Sequence, residues 1–149
     1  MPARLNLTFL LKSKNMEYPQ ITNSNISNHL NRDDIVLATA EQIMKDFGMF
    51  GVEITYSGNS SFAYDELFQQ LTIQITKLVE TNYDLLLSVL YQVDISDREI
   101  AKSERELPHY SHIEIIAHQV IVRDLKKVLL RRYFKAKDSE SGSSIDALY

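Results

Sequence analysis

SHIEIIAHQVIVRDLKKVLLRRYFKAK, residues 111–137, is the stretch of sequence that sets the fold. Ser111 followed three residues later by Glu114 is a capping box, which predicts that a long helix begins here and runs to about residue 135. As far as Val122, apolar residues recur on both sides of this helix, so we expect its first half to be buried on both sides. A helix buried in this way needs other helices around it.

The second half of the same helix is apolar on one side and basic on the other. Residues 123–137 contain seven basic residues and one acidic residue, a local charge of +6, so the rest of the chain carries −10. Like charges at i, i+4 spacing oppose helix formation, and the helix macrodipole favours cations only in the last turn. The basic side therefore needs an explanation. Its members at this spacing are Arg123, Lys127, Arg131 and Lys135.

Three interpretations of this basic side stay open in the sequence. It is a face that is solvated or paired with acids of its own bundle, it binds an acidic protein partner, or it binds nucleic acid. The net charge of −4 disfavours nucleic acid, because long-range steering of an anionic polymer would be repulsive. The candidate partner-binding residues are Arg123, Lys127, Arg131, Arg132, Lys135 and Tyr133.

Four helical segments are expected to precede this helix, beginning with one near residue 31. Asn31 or Asp33 can cap the first helix, and Gly48 stands where a left-handed glycine would close it. The second helix is expected over about 63–80, where one apolar stripe faces a polar side. The third, over 83–93, is apolar nearly all round and is expected in the centre of the bundle, although a bundle this small has difficulty in covering it fully.

The fourth segment is short and highly charged. Ser96 followed by Glu99 is a capping box that opens it, and Pro108 requires it to end beforehand. Between the first two helices, residues 52–56 alternate in hydrophobicity like a strand. A lone strand needs a partner, and residues 5–9 are the one candidate. Without that pairing we expect an extended loop packed on the core.

Composition agrees with an all-α fold. The 149 residues include only four Gly and three Pro, too few turn-formers for many short strands, and 44% of them are hydrophobic. We predict a compact bundle of four to five helices with one extended loop. Residues 1–30 are expected to be a flexible leader, with Met16 as an alternative start, 31–136 a single helical domain, and 137–149 a disordered tail.

The sequence offers no catalytic or cofactor-binding residue. With no cysteine, it excludes disulfides, thiol nucleophiles and cysteine-ligated metals, and no glycine lies in a phosphate-binding loop pattern. A histidine-lined metal site is a further alternative, with His109, His112 and His118 as candidate ligands. Helical geometry places His112 and His118 on different faces, and His118 falls on the apolar seam. We therefore expect no enzyme and no cofactor.

Residues 86–96, LLSVLYQVDIS, resemble a Leu-Tyr-x-Ile/Val-Asp-Ile/Val element of short uncharacterised bacterial proteins, in which a long helix ending in basic residues follows. The resemblance covers about residues 62–135. It implies a compact helical module of the bacterial cytoplasm and carries no activity with it. No apolar stretch is long enough to span a membrane, and the start of the chain is a poor secretory signal.

These patterns together predict a small, non-enzymatic cytoplasmic interaction module. It is expected to bind a protein partner or a second copy of itself through the bundle and the basic last helix, with nucleic-acid binding as the alternative. Four tyrosines recur beside helix ends, where they either keep a hydroxyl in water or anchor an interface. They are Tyr83, Tyr91, Tyr110 and Tyr133.

Overall fold

Five α-helices and one 3₁₀ turn account for most of the residues that the computed structural model describes, which are 21–22 and 32–140, with side chains as far as residue 135. No strand occurs among these residues, so the predicted all-α bundle is confirmed. A 3₁₀ turn, Ser60–Phe62, leads directly into the second helix. The helices are α1 (Asp33–Gly48), α2 (Ala63–Thr81), α3 (Tyr83–Val93), α4 (Asp97–Glu106) and α5 (His112–Glu140).

The last helix, α5, is the centre of the bundle and contacts the other four helices. It begins at the predicted capping box: the Glu114 amide donates to Ser111 Oγ at 3.2 Å, and the Ser111 amide donates to Glu114 Oε1 at 2.8 Å. Its first half is buried on both sides, as expected. This buried run comprises Ile115, Ile116, Ala117, His118, Gln119, Val120, Ile121 and Val122.

The expectation that residues 83–93 lie at the centre of the bundle is wrong. These residues do form α3, and Leu86, Val89 and Val93 are buried in the core. The opposite side of α3 is open, however. The 11-residue α3 packs its buried side against α1, α2 and α5, and no further described helix covers its outer side.

Both ends of α1 differ from the prediction. The N-cap residue is Arg32, which makes no side-chain capping bond, while Asn31 lies outside the described residues. The helix is closed by Gly51, at φ +76°, and not by Gly48. The Gly51 amide donates to the Gly48 carbonyl and the Val52 amide to the Phe47 carbonyl, which is the Schellman pattern placed three residues later.

Residues 52–56 form the extended loop that was expected in the absence of a strand partner. Val52 and Ile54 are buried, and α2 supplies the hydrogen bonds. The Thr55 amide donates to Gln70 Oε1 at 2.8 Å, and Gln70 Nε2 donates back to the Thr55 carbonyl. The side-chain amide thus takes the place of a neighbouring strand. Residues 5–9 lie outside the described residues.

At the C-terminus, α5 continues to Glu140, so residues 137–140 of the predicted tail are helical. Residues 141–149 lie outside the described residues, as does the predicted leader apart from Ile21 and Thr22. The Ile21 side chain is buried, beside residues of α4 and α5. Within the described part of the chain, no helix combines the length and apolar character that crossing a membrane requires.

Candidate functional site

The basic side of α5 faces acceptors of α1, and the two helices run antiparallel. Lys127 Nζ lies 3.4 Å from Asp46 Oδ2, and Arg131 Nη1 donates to Gln42 Oε1 at 2.8 Å. Asp46 and Gln42 are four residues apart, as are Lys127 and Arg131, so facing pairs repeat once per turn. The i, i+4 spacing of cations on α5 thereby matches an i, i+4 spacing of acceptors on α1.

Two further arginines of α5 are paired at either end of this contact. Arg132 donates to the Asp34 carboxylate and to its backbone carbonyl, and the bond from Arg132 holds the pKa of Asp34 below its usual value. Arg123 Nη2 donates to Asp94 Oδ2 at 2.9 Å. Asp94 is the left-handed C-cap of α3, at φ 71°, so this ion pair ties the α3–α4 turn to α5.

Below this polar contact lies a buried pair of carboxyl groups. Asp46 and Asp124 are 1% and 0% exposed, and Lys127 Nζ lies 3.2 Å from Asp124 Oδ1. Burial, reinforced by the Asp46 charge, raises the pKa of Asp124 to about 8 against the opposing effect of Lys127. Asp124 is therefore mostly protonated at neutral pH. The ammonium of Lys127 serves two carboxyl groups at once and is itself largely covered.

The structure thus gives an intramolecular partner to four of the predicted partner-binding residues: Arg123, Lys127, Arg131 and Arg132. Tyr133 is half-buried and packs edge-on against Phe134, at 5.6 Å between ring centroids. Lys135 is exposed at the rim of a cavity between α1 and α5. Of the three interpretations of the basic side, this geometry favours pairing within the bundle.

The three candidate metal ligands occupy different surroundings. His109 and His112 are exposed, and His112 Nδ1 lies 2.8 Å from Glu104 Oε1. His118 is buried between α5 and α2, 1% exposed. In the part of the chain that the structure describes, no group of three His, Cys, Asp or Glu side chains is arranged to hold a metal ion.

His118 instead belongs to an aromatic cluster that joins α2 to α5. The Tyr64 hydroxyl lies 2.6 Å from His118 Nδ1 and 3.3 Å from the Tyr110 hydroxyl. Burial lowers the pKa of His118 to about 4 and raises that of Tyr64 above its usual value, so both groups are neutral at pH 7. A neutral imidazole can accept the Tyr64 proton at Nδ1 when its proton is on Nε2. The cluster therefore provides hydrogen-bond partners for the Tyr64 hydroxyl and for His118 Nδ1 in the interior.

The most exposed apolar surface among the helices is on α3. Tyr83, Leu87 and Tyr91 are 57%, 48% and 89% exposed, and their i, i+4, i+8 spacing places them on one face. We call these three residues the Tyr-Leu-Tyr face. The sequence left two alternatives for Tyr83 and Tyr91, a hydroxyl kept in water or an anchor in an interface. Because residues 83–93 are apolar nearly all round, their sequence could not show which side of α3 would stay exposed.

Comparison with known protein families, curated proteins and solved structures finds no match for this chain.

Proposed function

We propose that this chain is a small, non-enzymatic interaction module that contacts another protein surface through the Tyr-Leu-Tyr face of α3. The observation that carries the proposal is the exposure of three large side chains in one line, with Tyr91 at 89%. Burying such a side chain in a partner stabilises a complex by roughly 1.5–3 kcal/mol. Tyrosine is also the residue type most enriched, with Trp and Arg, among residues that dominate binding energy.

The alternative surface, the basic side of α5, is less available for binding. To bind an external acid, Lys127 would have to give up Asp46 and Asp124, and Arg132 would have to give up Asp34. Leaving the buried Asp46 carboxylate without its cation costs several kcal/mol, whereas the Arg132–Asp34 pair is exposed and its loss would cost much less. The proposed contact therefore lies on α3, whereas the sequence predicted binding through the bundle and the basic last helix. The same competition weakens the nucleic-acid alternative.

The test is capture of partners from a lysate by tagged wild-type chain and by the Leu87→Asp variant, with and without nuclease. Gln69→Asp is the matched control, because Gln69 is an exposed position of α2 that lies outside the Tyr-Leu-Tyr face. Sedimentation equilibrium of the purified chain tests a second copy as the partner. We expect wild type and Gln69→Asp to capture equal amounts of the partner or to self-associate equally. Leu87→Asp should lose at least 90% of the captured partner or of the dimer.

Two outcomes would overturn the proposal. One is a wild-type chain that captures nothing and stays monomeric at all concentrations tested. The other is partners that vanish with nuclease and persist with Leu87→Asp, which would return the basic side of α5 to consideration as a nucleic-acid surface. The bacterial cytoplasm remains part of the proposal as its setting, supported by the resemblance of residues 86–96.

A further inference from the structure

The exposed side of α3 is symmetric about its middle residue. Leu87 has Tyr83 four residues before it and Tyr91 four residues after it, so each tyrosine lies about 6 Å from Leu87 along the helix axis. A two-fold axis that passes beside Leu87, at right angles to the helix, exchanges the two tyrosines. The Tyr-Leu-Tyr face therefore matches a second copy of itself when the two α3 helices run antiparallel.

A polar row with a small residue at its middle lies beside this face. Its members are Asp84, Ser88 and Gln92, which follow one another at i, i+4 spacing and are all exposed. Rows of this spacing on one helix pack into the grooves between the rows of another, which is the commonest packing of two helices. In an antiparallel pair, Leu87 of each copy would then lie over the small Ser88 of the other.

The charge of α3 suits a partner of the same charge. The chain carries −4, so two copies repel each other unless their contact contains few charges. Asp84 is the one charged residue of α3, whereas seven of the ten residues of α4, the next helix, are charged. In an antiparallel pair, the two copies of Asp84 lie on opposite sides of the two-fold axis, about 10 Å apart along the helices.

The exposed area of α3 is sufficient for a weak dimer. Tyr83 and Tyr91 are 57% and 89% exposed, and a fully buried tyrosine removes about 150–250 Å² from water. With Leu87, the face offers roughly 400 Å² in each copy. Together with the polar row, a pair of copies would bury about 1,000 Å² in total, the lower limit for a specific interface. This area predicts a reversible dimer with a dissociation constant in the micromolar range.

We propose that the partner of the Tyr-Leu-Tyr face is a second copy of this chain, bound antiparallel along α3 with Leu87 beside the two-fold axis. Tyr83 of each copy would pack near Tyr91 of the other, and aromatic pairs stabilise a contact beyond the area that they bury. The helix dipoles run antiparallel, so opposite partial charges lie next to each other at both ends. This inference rests on the proposed function and names its partner.

The first experiment uses cross-linking, since the chain contains no cysteine and each single-cysteine variant carries one thiol. After mild oxidation, we expect Ser88→Cys to form a disulfide-linked dimer. Asp84→Cys and Gln92→Cys should each form at least tenfold less dimer alone and should cross-link when mixed, because an antiparallel pair brings Asp84 of one copy near Gln92 of the other. All three variants keep the Tyr-Leu-Tyr face. Gln69→Cys, on the exposed side of α2, is the matched control and should give only background.

The second experiment is sedimentation equilibrium of the full chain at micromolar concentrations. Leu87→Asp should raise the dissociation constant of the dimer at least tenfold, because it places two carboxylates beside the two-fold axis, and Gln69→Asp should leave the constant unchanged. Raising sodium chloride from about 0.05 to 0.5 M should not weaken the dimer, since salt screens the repulsion between two negatively charged copies.

Three results would overturn the inference. They are a wild-type chain that stays monomeric, Ser88→Cys that cross-links no faster than Gln69→Cys, and Asp84→Cys that cross-links with itself as fast as Ser88→Cys, which would indicate a parallel pair. A monomeric chain that captures a protein from lysate, and loses it in Leu87→Asp, refutes the second copy while the proposed function stands. A dimer that survives Leu87→Asp, with nothing else captured, refutes both.

Discussion

Helices α5 and α3 exchange the roles that their sequences suggest. The α5 sequence has a cationic side that resembles a binding surface, yet four of its cations are bonded to acceptors of the same chain. The α3 sequence is apolar nearly all round and resembles a core helix, yet Leu87 and Tyr91 face solvent. A cationic helix face can thus be paired within its own chain, while one side of an apolar helix can stay exposed to solvent.

The largest effect is expected from Lys127→Glu, which would place a third carboxyl group beside Asp46 and Asp124. Because both acids are buried, we expect the free energy of unfolding to fall by about 3–5 kcal/mol, measured by urea denaturation. Lys77→Glu, at an exposed position of α2, is the control and should change it by less than about 0.5 kcal/mol. If Lys127→Glu kept full stability and lost a binding partner, α5 would be the binding surface after all.

Next in size is His118→Phe, which removes the nitrogen that faces the Tyr64 hydroxyl. The Tyr64 hydroxyl then keeps its longer contact with the Tyr110 hydroxyl, at 3.3 Å, and loses the shorter bond to His118, which should lower the free energy of unfolding by about 1–3 kcal/mol. The exposed His112→Gln is the matched control and should cost less than about 0.5 kcal/mol. The additional change Tyr64→Phe should cost less in the His118→Phe background than in wild type, because the shorter of the two bonds of the Tyr64 hydroxyl is already gone. Strict additivity of the two losses would contradict the hydrogen bond.

The raised pKa of Asp124, the buried acid of α5, should make the free energy of unfolding depend on pH. The pKa of Asp124 is about 8 in the folded chain against 3.8 for the free group, so the folded state holds the extra proton between these values. Stability from Asp124 is therefore present at low pH and is lost as the pH rises towards 8. His118 acts oppositely, from pH 6.5 down to about 4, where its folded pKa lies. Above pH 6.5 the effect of Asp124 is the larger of these two.

We therefore expect the unfolding free energy to fall by up to about 2 kcal/mol between pH 6.5 and 8. In the Asp124→Asn variant this fall should disappear, since an amide mimics the protonated carboxyl group and does not titrate. Denaturation curves at four pH values in this window measure it. An equal slope in wild type and in Asp124→Asn would contradict the raised pKa of Asp124.

The smallest effect on stability is expected from Leu87→Asp on α3. An exposed side chain without a described partner contributes little to the fold, so the unfolding free energy should change by less than about 0.5 kcal/mol. The neighbouring Leu86→Asp, at a position 1% exposed, should instead prevent folding or cost several kcal/mol. Equal losses of unfolding free energy in Leu86→Asp and Leu87→Asp would show that both sides of α3 are buried. The exposed side of α3 would then no longer distinguish it from α5.

Local patterns of capping residues and periodicity predict the helices and several of their ends. The capping box at Ser111 forms in both directions, and at Ser96 the Glu99 amide donates to the N-cap hydroxyl, because the groups that these bonds need lie within four residues. The helix closure predicted at Gly48 occurs at Gly51 instead. Each glycine is a local candidate for a left-handed residue, and which one closes α1 depends on where the following chain must go. Val52 and Ile54 have to reach the core, and that requirement comes from tertiary packing.

The sequence by itself determined the all-α fold, the doubly buried start of α5 and the concentration of positive charge in its second half, since periodicity and composition act along one helix. Only the tertiary structure decided that Asp34, Gln42 and Asp46 would lie opposite those cations, that His118 would meet Tyr64, and that α3 would leave Tyr91 in solvent. The reason is physical. The charge and burial of a side chain depend on groups that lie tens of residues away in the sequence and only a few ångströms away in the fold.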